Sequence, residues 1–317
     1  MKAVIIDHVS KIIGESLVKY GVEVDYKVLP TKQELINFIG NYDLLIMRVD
    51  PFIDKEIIDA ATNLKSIHVC SVGTNHIDLT YCREKGILVT NAPGANSNAV
   101  AELTLSKILD LFRNTMQSNT EIKGKNIWNK YRWIGMELKG KTLGIIGYGK
   151  IGSRVGEIAQ ALDMTTIAYD PYLDKEEVAA KGTELVSLKE LLNRSDCITL
   201  HTPLTEETHN MISYEQIAEL KEGAFIINTG RGGVLNEEAA YDNLKSGKLG
   251  GVSVDVLATE LGTGGLSSED VVITSPLFEF DNFTVSSHIG GASHDAYDAI
   301  GVIVVGKIVD TYQLQEK

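Results

Sequence analysis

A glycine-rich stretch constrains the fold of this chain more than any other feature. Residues 142–146 form an apolar, strand-like run that leads directly into Gly147-Tyr148-Gly149-Lys150-Ile151-Gly152, and residues 153–162 then show helical periodicity. In that context Gly-x-Gly-x-x-Gly is the fingerprint of a dinucleotide-binding unit. Gly147 permits a tight turn, Gly149 lets the backbone approach a pyrophosphate, and Gly152 lets the helix pack closely on its strand. We expect the phosphates at the helix N-terminus, where N–H groups and the helix dipole favour negative charge.

An acidic residue supports this interpretation. A second strand-like run, residues 165–169, ends at Asp170, which lies 18 residues after Gly152. A carboxylate at this position accepts hydrogen bonds from the ribose hydroxyls, and it would repel a 2′-phosphate. The sequence therefore predicts NAD rather than NADP as the cofactor. The alternative is an ordinary strand–turn–helix in which the glycines serve packing alone.

Short β-rich runs alternate with helical patterns along most of the chain, which predicts an α/β fold. Five buried strands between Ala3 and Thr90 imply a parallel sheet covered on both faces. The rhythm resumes from residue 142 to residue 286 and predicts a second doubly wound sheet. With 317 residues, of which 44% are hydrophobic, two domains are expected. We predict Rossmann-like or flavodoxin-like domains over 1–95 and 96–290, with a cleft between them, and a helix within 291–317 that returns to the first domain.

Composition argues against several classes of partner. The formal net charge of −13 disfavours binding to nucleic acid or to an anionic membrane surface. Cys70, Cys82 and Cys197 lack the spacing of metal ligands, so we expect no metal site and reduced thiols in a cytoplasmic protein. No apolar run approaches the ~18 residues of a membrane span. Residues 1–7 are predicted to form a core strand rather than a signal peptide.

Residues 126–139 contain both tryptophans in a region of weak periodicity. Trp128, Tyr131, Trp133 and Met136 all lie here, just before the fingerprint. Aromatic side chains are enriched in interfaces, but they also pack locally. The segment therefore either faces a partner subunit or covers its own domain, and we favour the partner.

Polar residues follow four strands predicted in the second half of the chain. They are His201-Thr202-Pro203, residues 228–233, residues 255–260 and residues 287–291. Ligands of open parallel sheets bind beyond the carboxyl ends of the strands. We therefore expect the guanidinium of Arg231, a carboxylate and the imidazole of His288 to converge on a small polar substrate. Arginine can bind a carboxylate through two parallel hydrogen bonds, and histidine exchanges protons near neutral pH.

At these residues the chain resembles the D-isomer-specific 2-hydroxyacid dehydrogenase family, over roughly residues 43–293. The matching segments are 89–93 with 100–102, 138–147, 228–232 and 288–291. The resemblance implies hydride transfer between NAD and C2 of a small D-2-hydroxy or 2-oxo acid, with substrate bound by 1–95 and NAD by 96–290. It also implies a homodimer built on the NAD-binding domain. The alternative is a dinucleotide-sensing protein, since the family is also similar to corepressors with the same fold.

The resemblance also implies roles for individual residues. Arg231 would bind the substrate carboxylate and carbonyl, and His288 would exchange a proton with the carbonyl oxygen while Glu260 holds and polarises it. Asp255 would contact the nicotinamide carboxamide. The backbone at Val72 and Gly73 would form a second carboxylate clamp. The full set of predicted cofactor-binding residues is Gly147, Tyr148, Gly149, Lys150, Ile151, Gly152, Asp170, His201, Thr202, Pro203, Thr229, Gly230, Arg231, Asp255, His288, Gly290 and Gly291.

Arg48 is a further candidate substrate ligand. It follows the strand predicted over Leu44–Met47. In phosphoglycerate dehydrogenases a similarly placed arginine resembles a phosphate ligand, whereas the segment 71–78 is spaced more like the lactate-type enzymes. The substrate is therefore predicted to be a small D-2-hydroxy acid, phosphorylated or not. An Arg48 that only pairs with surface acids is an equally good interpretation.

Overall fold

The computed structural model describes residues 1–259 and 272–316, which form two compact units. The first unit comprises residues 1–96 and 292–316, and the second comprises residues 97–259 and 272–291. Both contain parallel sheets with helices between the strands. The prediction of two parallel-sheet α/β units is therefore confirmed.

The first unit contains a parallel sheet in the order β2-β1-β3-β4-β5. Every residue of the strands LLIM and SIHV, at its centre, is buried, as expected for strands covered by helices on both faces. Polar N-caps begin its helices, and Thr31 and Glu34 form a complete capping box. The elements are β1 (Lys2–Ile5), α1 (Lys11–Lys19), β2 (Glu23–Tyr26), α2 (Lys32–Ile39), β3 (Leu44–Met47), α3 (Lys55–Ala60), β4 (Ser66–Val69), α4 (Leu79–Glu84) and β5 (Leu88–Thr90).

The last helix of the chain, which we number α12 (His294–Tyr312), belongs to this first unit. Its apolar residues Ile300, Val304 and Ile308 share one buried core with residues of α1 and β1. Two polar contacts join it to the sheet: Lys307 Nζ donates to the Asn91 carbonyl at 2.6 Å, and the Tyr312 hydroxyl donates to Ser66 Oγ at 2.7 Å. The helix therefore completes a core that the first ninety residues begin.

The second unit contains a longer parallel sheet in the order β12-β11-β10-β9-β6-β7-β8. The strand order reverses between β6 and β9, so the carboxyl ends of these two strands flank the point at which such sheets bind ligands. The elements are α5 (Ser97–Arg113), α6 (Thr115–Lys125), β6 (Thr142–Ile146), α7 (Lys150–Ala161), β7 (Thr165–Tyr169), α8 (Lys175–Ala179), β8 (Glu184–Leu185), α9 (Leu188–Arg194), β9 (Cys197–Leu200), α10 (Tyr214–Glu219), β10 (Ala224–Asn228), α11 (Glu237–Lys245), β11 (Leu249–Val254), a 3-10 helix (Pro276–Glu279) and β12 (Phe283–Val285).

Two parts of the second unit differ from the sequence-based expectation. The apolar periodicity of residues 98–116 predicts one long helix there, and this prediction is wrong, because Asn114 adopts a left-handed conformation (φ 53°) that separates α5 from α6. The short elements α8 and β8 were not expected, since five-residue and two-residue segments have too little periodicity to recognise. Neither difference moves a strand of the central sheet.

The segment that contains the tryptophans is fixed at one end and exposed at the other. Trp133 Nε1 donates to the buried Glu121 at 2.9 Å, and Arg132 pairs with the same carboxylate at 2.8 Å. Trp128 and Tyr131, by contrast, are 83% and 71% exposed. Across the described parts of the chain, no helix is both long and apolar enough to cross a membrane.

Candidate active site

The glycine-rich loop between β6 and α7 leaves open space at one glycine and close contacts at the other two. Gly147 has a positive φ of 86°, and a Cβ there would lie 2.9 Å from the carbonyl carbon of His201. A Cβ at Gly152 would lie 2.1 Å from the Gly147 carbonyl oxygen. At Gly149, the N-cap of α7, a Cβ would meet no described atom within 4 Å. The loop thus offers a space at a helix N-terminus that fits a pyrophosphate.

Asp170 lies at the end of β7 and holds this loop. Its Oδ2 accepts a hydrogen bond from the Tyr148 backbone N–H at 2.9 Å, and its Oδ1 accepts one from the Tyr172 N–H at 3.0 Å. Each carboxylate oxygen has a second lone pair, so ribose hydroxyls can still be bound. The Tyr148 side chain is buried and its hydroxyl donates to Thr183. The Tyr148 hydroxyl is therefore engaged within the protein, as is its backbone N–H.

The segment after β9 carries buried polar atoms that lack partners. Among the described residues, neither His201 Nε2 nor Thr202 Oγ1 has a hydrogen-bond partner. Burial lowers the pKa of His201 to about 3, so its imidazole is neutral at physiological pH. An unsatisfied buried polar group costs roughly 1–3 kcal/mol. These two atoms are therefore available to a polar ligand, and a role of His201-Thr202-Pro203 in binding the cofactor stays a prediction.

Arg231 lies in a loop whose shape is set by Asn228. Asn228 Oδ1 accepts a hydrogen bond from the Gly230 N–H at 3.0 Å, and its Nδ2 donates to the Arg231 carbonyl at 2.9 Å. The guanidinium uses Nη1 to donate to the Gly230 carbonyl at 2.7 Å. It makes no ion pair with any acidic residue in the described ranges. Since a guanidinium carries five N–H donors, most of them remain for an anionic ligand.

Thr229 joins this loop to helix α5. Its hydroxyl is 2.8 Å from the hydroxyl of Thr104, which donates to the Val100 carbonyl, and 3.5 Å from His201 Nδ1. Thr104 was not among the residues predicted for the site. One feature of the sequence could have identified it. Thr104 is a polar residue on the apolar side of α5, four residues after Val100 and four before Ile108.

Asp255 holds the segment that carries His288. Its Oδ1 accepts hydrogen bonds from Ser286 Oγ and from the Ile289 N–H, and its Oδ2 accepts one from the Gly290 N–H at 2.8 Å. The Asp255 carbonyl also accepts the His288 N–H at 2.9 Å. His288 has a φ of 54°, a left-handed conformation that costs a non-glycine residue roughly 1–2 kcal/mol. These hydrogen bonds offset that cost and fix the backbone of His288.

The His288 segment ends in two glycines, Gly290 and Gly291. A Cβ at Gly290 would lie 2.9 Å from Asp255 Oδ2, so a side chain there would disturb the contacts of the carboxylate. Gly291 follows at the end of the unit. Glu260, the predicted partner of His288, lies outside the described residues.

The predicted substrate residues of the first unit follow β3 and β4. The N–H groups of Arg48 and Val49 donate to Asp7 Oδ2, and the Arg48 guanidinium stacks on Tyr297 with its Cζ 4.6 Å from the ring centroid. Arg48 borders a small cavity lined also by His8, Ser10 and Cys70. It forms no ion pair with the acids in residues 1–259 and 272–316.

The loop at Val72 and Gly73 is held by its carbonyl groups. Asn91 Nδ2 donates to the Val72 carbonyl at 2.7 Å, and Ser71 Oγ donates to the Gly73 carbonyl at 2.8 Å. The N–H groups of Val72 and Gly73 donate to no acceptor in the described part of the chain. Two neighbouring N–H groups in a fixed loop are suited to binding an anion.

Comparison with known proteins agrees with these features. Residues 105–290 match the family model described as D-isomer specific 2-hydroxyacid dehydrogenase, NAD binding domain. The chain is 40% identical over 287 residues to a D-3-phosphoglycerate dehydrogenase of Methanocaldococcus jannaschii, covering 90% of this chain and 53% of that protein. It is 38% identical to a hydroxypyruvate reductase of Thermotoga maritima, covering 87% of each. The chain spans about half the length of the first phosphoglycerate dehydrogenases that it matches.

A solved structure shares the whole fold. The D-lactate dehydrogenase from Aquifex aeolicus, determined with NAD and lactic acid, superposes with a TM-score of 0.77 at 30% identity. The match covers 98% of this chain and 95% of that chain.

Proposed function

Because this chain belongs to the D-isomer-specific 2-hydroxyacid dehydrogenase family, we propose that it is an oxidoreductase that interconverts a small D-2-hydroxy acid and its 2-oxo acid with NAD. The observation that carries the proposal is the set of groups at the carboxyl ends of one sheet. The open space at Gly149, the guanidinium of Arg231 and the fixed backbone of His288 follow β6, β10 and β12. In this proposal the space at Gly149 receives a dinucleotide, Arg231 binds a carboxylate and His288 transfers a proton.

The glycine-rich loop and its neighbours hold the cofactor in this proposal. The N–H groups at the start of α7, from Lys150 to Gly152, bind the pyrophosphate, and Asp170 accepts the ribose hydroxyls. The neutral imidazole of His201, with Thr202, Pro203 and Thr229, borders the cofactor on the β9 side. When bound, NADH supplies the hydride for reduction of the 2-oxo acid.

The protein contributes orientation and proton transfer. Arg231 binds the substrate carboxylate through N–H donors that no described residue accepts, which places C2 of the substrate. Hydride arriving at C2 builds negative charge on the carbonyl oxygen, and His288 gives a proton to that oxygen during reduction and accepts it during oxidation. Glu260 is proposed to orient and polarise His288. Asp255 holds the segment of His288 and is proposed to receive the carboxamide of the cofactor as well.

The first unit is proposed to select the substrate. The backbone N–H groups of Val72 and Gly73 are proposed to bind the substrate carboxylate, and Arg48 is proposed to bind a second anionic group such as a phosphate. Relatives named for phosphoglycerate, hydroxypyruvate and lactate span both phosphorylated and unphosphorylated substrates. We therefore propose that the substrate is a small D-2-hydroxy acid, and the assay below compares phosphorylated and unphosphorylated forms.

We also propose a cytoplasmic homodimer. The exposed aromatic side chains Trp128 and Tyr131 support a subunit interface on the NAD-binding unit, because such side chains are enriched at interfaces. Cys70, Cys82 and Cys197 are buried free thiols, which suits a reducing compartment.

The experiment that tests the function follows NADH oxidation with pyruvate, hydroxypyruvate and 3-phosphohydroxypyruvate. We expect turnover with at least one of them, and a preference for the phosphorylated acid that is lost in Arg48→Ala would assign the phosphate to Arg48. Tight NADH binding without turnover on a wide panel of 2-oxo acids would instead favour the dinucleotide-sensing alternative. The enzyme names of the relatives favour the dehydrogenase.

A further inference from the structure

A buried lysine on α5 contacts the backbone that leads to the His288 segment. Lys107 is only 6% exposed, and its Nζ donates to the Val254 carbonyl at 2.9 Å. Val254 ends β11 and directly precedes Asp255. Burying an ammonium group costs free energy unless hydrogen bonds and opposite charge compensate it. A lysine at this position therefore calls for a specific explanation.

The peptide group that Lys107 contacts connects three parts of the site. The Val254 carbonyl accepts a second hydrogen bond, from the Ser286 N–H at 3.0 Å, which lies just after β12. On the other side of the same peptide, the Asp255 N–H donates to the Asn228 carbonyl at 2.8 Å, at the start of the Arg231 loop. A donor that fixes this peptide therefore acts on the Arg231 loop and the His288 segment together.

The charge of Lys107 also acts on Asp255. Asp255 is 2% exposed, and its carboxylate accepts hydrogen bonds only from neutral donors in the described residues. Lys107 forms no direct ion pair with it among the described residues, but Lys107 Nζ donates to the carbonyl of Val254, which directly precedes Asp255. Burial lowers the pKa of Lys107, whereas Asp255 and Asp110 raise it.

We propose that Lys107 is a positioning residue for His288. It clamps the Val254 carbonyl and balances the charge of Asp255, and Asp255 in turn holds residues 286–290 in the conformation that fixes the left-handed backbone of His288. The catalytic consequence rests on the proposed function, whereas the effect on the conformation of residues 286–290 does not.

The test compares four variants by hydrogen exchange and by kinetics. Lys107→Met removes both the donor and the charge, Lys107→Gln keeps a donor without charge, and Lys107→Arg keeps both. The matched control is Lys189→Met, which removes an ammonium group from an exposed pair with Glu219, where the side chain is 78% exposed. Exposed pairs of this kind contribute little to stability.

We expect Lys107→Met to exchange the amides of residues 286–290 about tenfold faster, together with those of the Arg231 loop that contacts the same peptide, and to leave the rest of the second unit unchanged. Its kcat should fall about 10- to 100-fold, because small displacements of a catalytic group cost this much. The dissociation constant of NADH, measured by fluorescence titration, should change little. Lys107→Arg should restore most of the rate, and Lys107→Gln should lie between Met and wild type.

Other outcomes overturn the proposal. Unchanged exchange over residues 286–290 in Lys107→Met would show that Lys107 does not hold this segment. Wild-type behaviour of Lys107→Gln would exclude a role for the charge. If Met and Gln variants fail to fold while Arg folds, Lys107 supports the whole unit and not His288 in particular. A wild-type protein without turnover would refute the proposed function, and the exchange comparison would still decide the role of Lys107.

Discussion

At Asp170 a single carboxylate is bound to the glycine-rich loop and is proposed to bind the ribose. Its two oxygens already accept the N–H groups of Tyr148 and Tyr172. Sequence spacing identified the residue, but it carried no sign of these two hydrogen bonds. The carboxylate therefore has a structural effect that any substitution will also remove.

We predict that wild-type protein strongly prefers NADH to NADPH and that Asp170→Ala narrows this preference. The carboxylate repels a 2′-phosphate, and alanine removes that repulsion together with the ribose hydrogen bonds. The kcat/KM ratio for the two cofactors measures the effect. The KM for NADH should rise as well, since the loop loses its tie to β7. Comparable kcat/KM values for the two cofactors in the wild type would contradict the prediction.

His288 and Arg231 should differ in what their loss affects. His288→Gln should lower kcat by about 10²–10⁴-fold, the usual contribution of a positioned acid or base, with NADH binding largely retained. Arg231→Lys should raise KM and lower kcat together, because an ammonium group cannot form two parallel hydrogen bonds with a carboxylate. Steady-state kinetics with the best 2-oxo acid separates the two patterns. An unchanged KM in Arg231→Lys would argue against carboxylate binding by Arg231.

At the scale of elements, the β6–α7 turn shows that the three glycines have different purposes. Gly147 and Gly152 are required by contacts within the protein, whereas Gly149 faces open space. The fingerprint in the sequence treats all three alike. Only the packing of α7 on β6 distinguishes the two glycines that internal contacts require from Gly149, which is proposed to leave room for the ligand.

We predict that alanine affects ligand binding at Gly149 and stability at Gly152. Gly149→Ala should keep the melting temperature of the wild type and weaken NADH binding, because the added methyl group occupies the space at the helix N-terminus. Gly152→Ala should lower the melting temperature, because its Cβ would lie 2.1 Å from the Gly147 carbonyl oxygen. Thermal unfolding and fluorescence titration with NADH measure the two effects. Unimpaired NADH binding by Gly149→Ala would exclude a pyrophosphate at this position.

A buried histidine in strand β4 should make the stability of the protein depend on pH. His68 is fully buried between the hydroxyls of Ser66 and Thr90, at 2.8 Å from each, and burial lowers its pKa from 6.5 to about 4. Below pH 6.5 the unfolded chain takes up a proton that the folded chain does not. This contribution to stability is therefore fully present above about pH 6.5 and falls as the pH decreases towards 4.

The free energy of unfolding should lose up to about 1.4 kcal/mol per pH unit in this window through His68. Urea unfolding of wild type and His68→Gln between pH 5 and 7.5 measures the slope, which should be smaller in the variant. The control is His294→Gln, an exposed histidine of the same unit. Equal slopes in wild type and His68→Gln would contradict the prediction.

At the scale of the whole molecule, the exposed aromatic segment is the feature that bears on assembly. Trp133 is tied to Glu121 of its own unit, whereas Trp128 and Tyr131 project into solvent. Packing against its own domain thus holds for Trp133, whereas contact with a partner subunit stays a prediction for Trp128 and Tyr131.

We predict that replacing Trp128 and Tyr131 together by serine converts a homodimer into a monomer, because the interface loses its largest apolar side chains. Sedimentation velocity over a wide range of concentrations measures the change. The matched control is Tyr172→Ser, since Tyr172 is also an exposed aromatic residue of this unit, at 84%. A wild-type protein that sediments as a monomer throughout would refute the dimer.

The sequence alone was sufficient for features that depend on local order. Periodicity and spacing reveal such features because they depend on residues that are close in the sequence. Examples are the apolar run LLIM of β3, the turn residues after each strand and the spacing from Gly152 to Asp170. The tertiary structure alone decided the contacts between distant segments. The contact of Lys107 with the Val254 carbonyl and that of Thr104 with Thr229 join residues more than a hundred positions apart. No local pattern encodes such pairs, because they depend on which side of a helix meets which strand end once the sheet has formed.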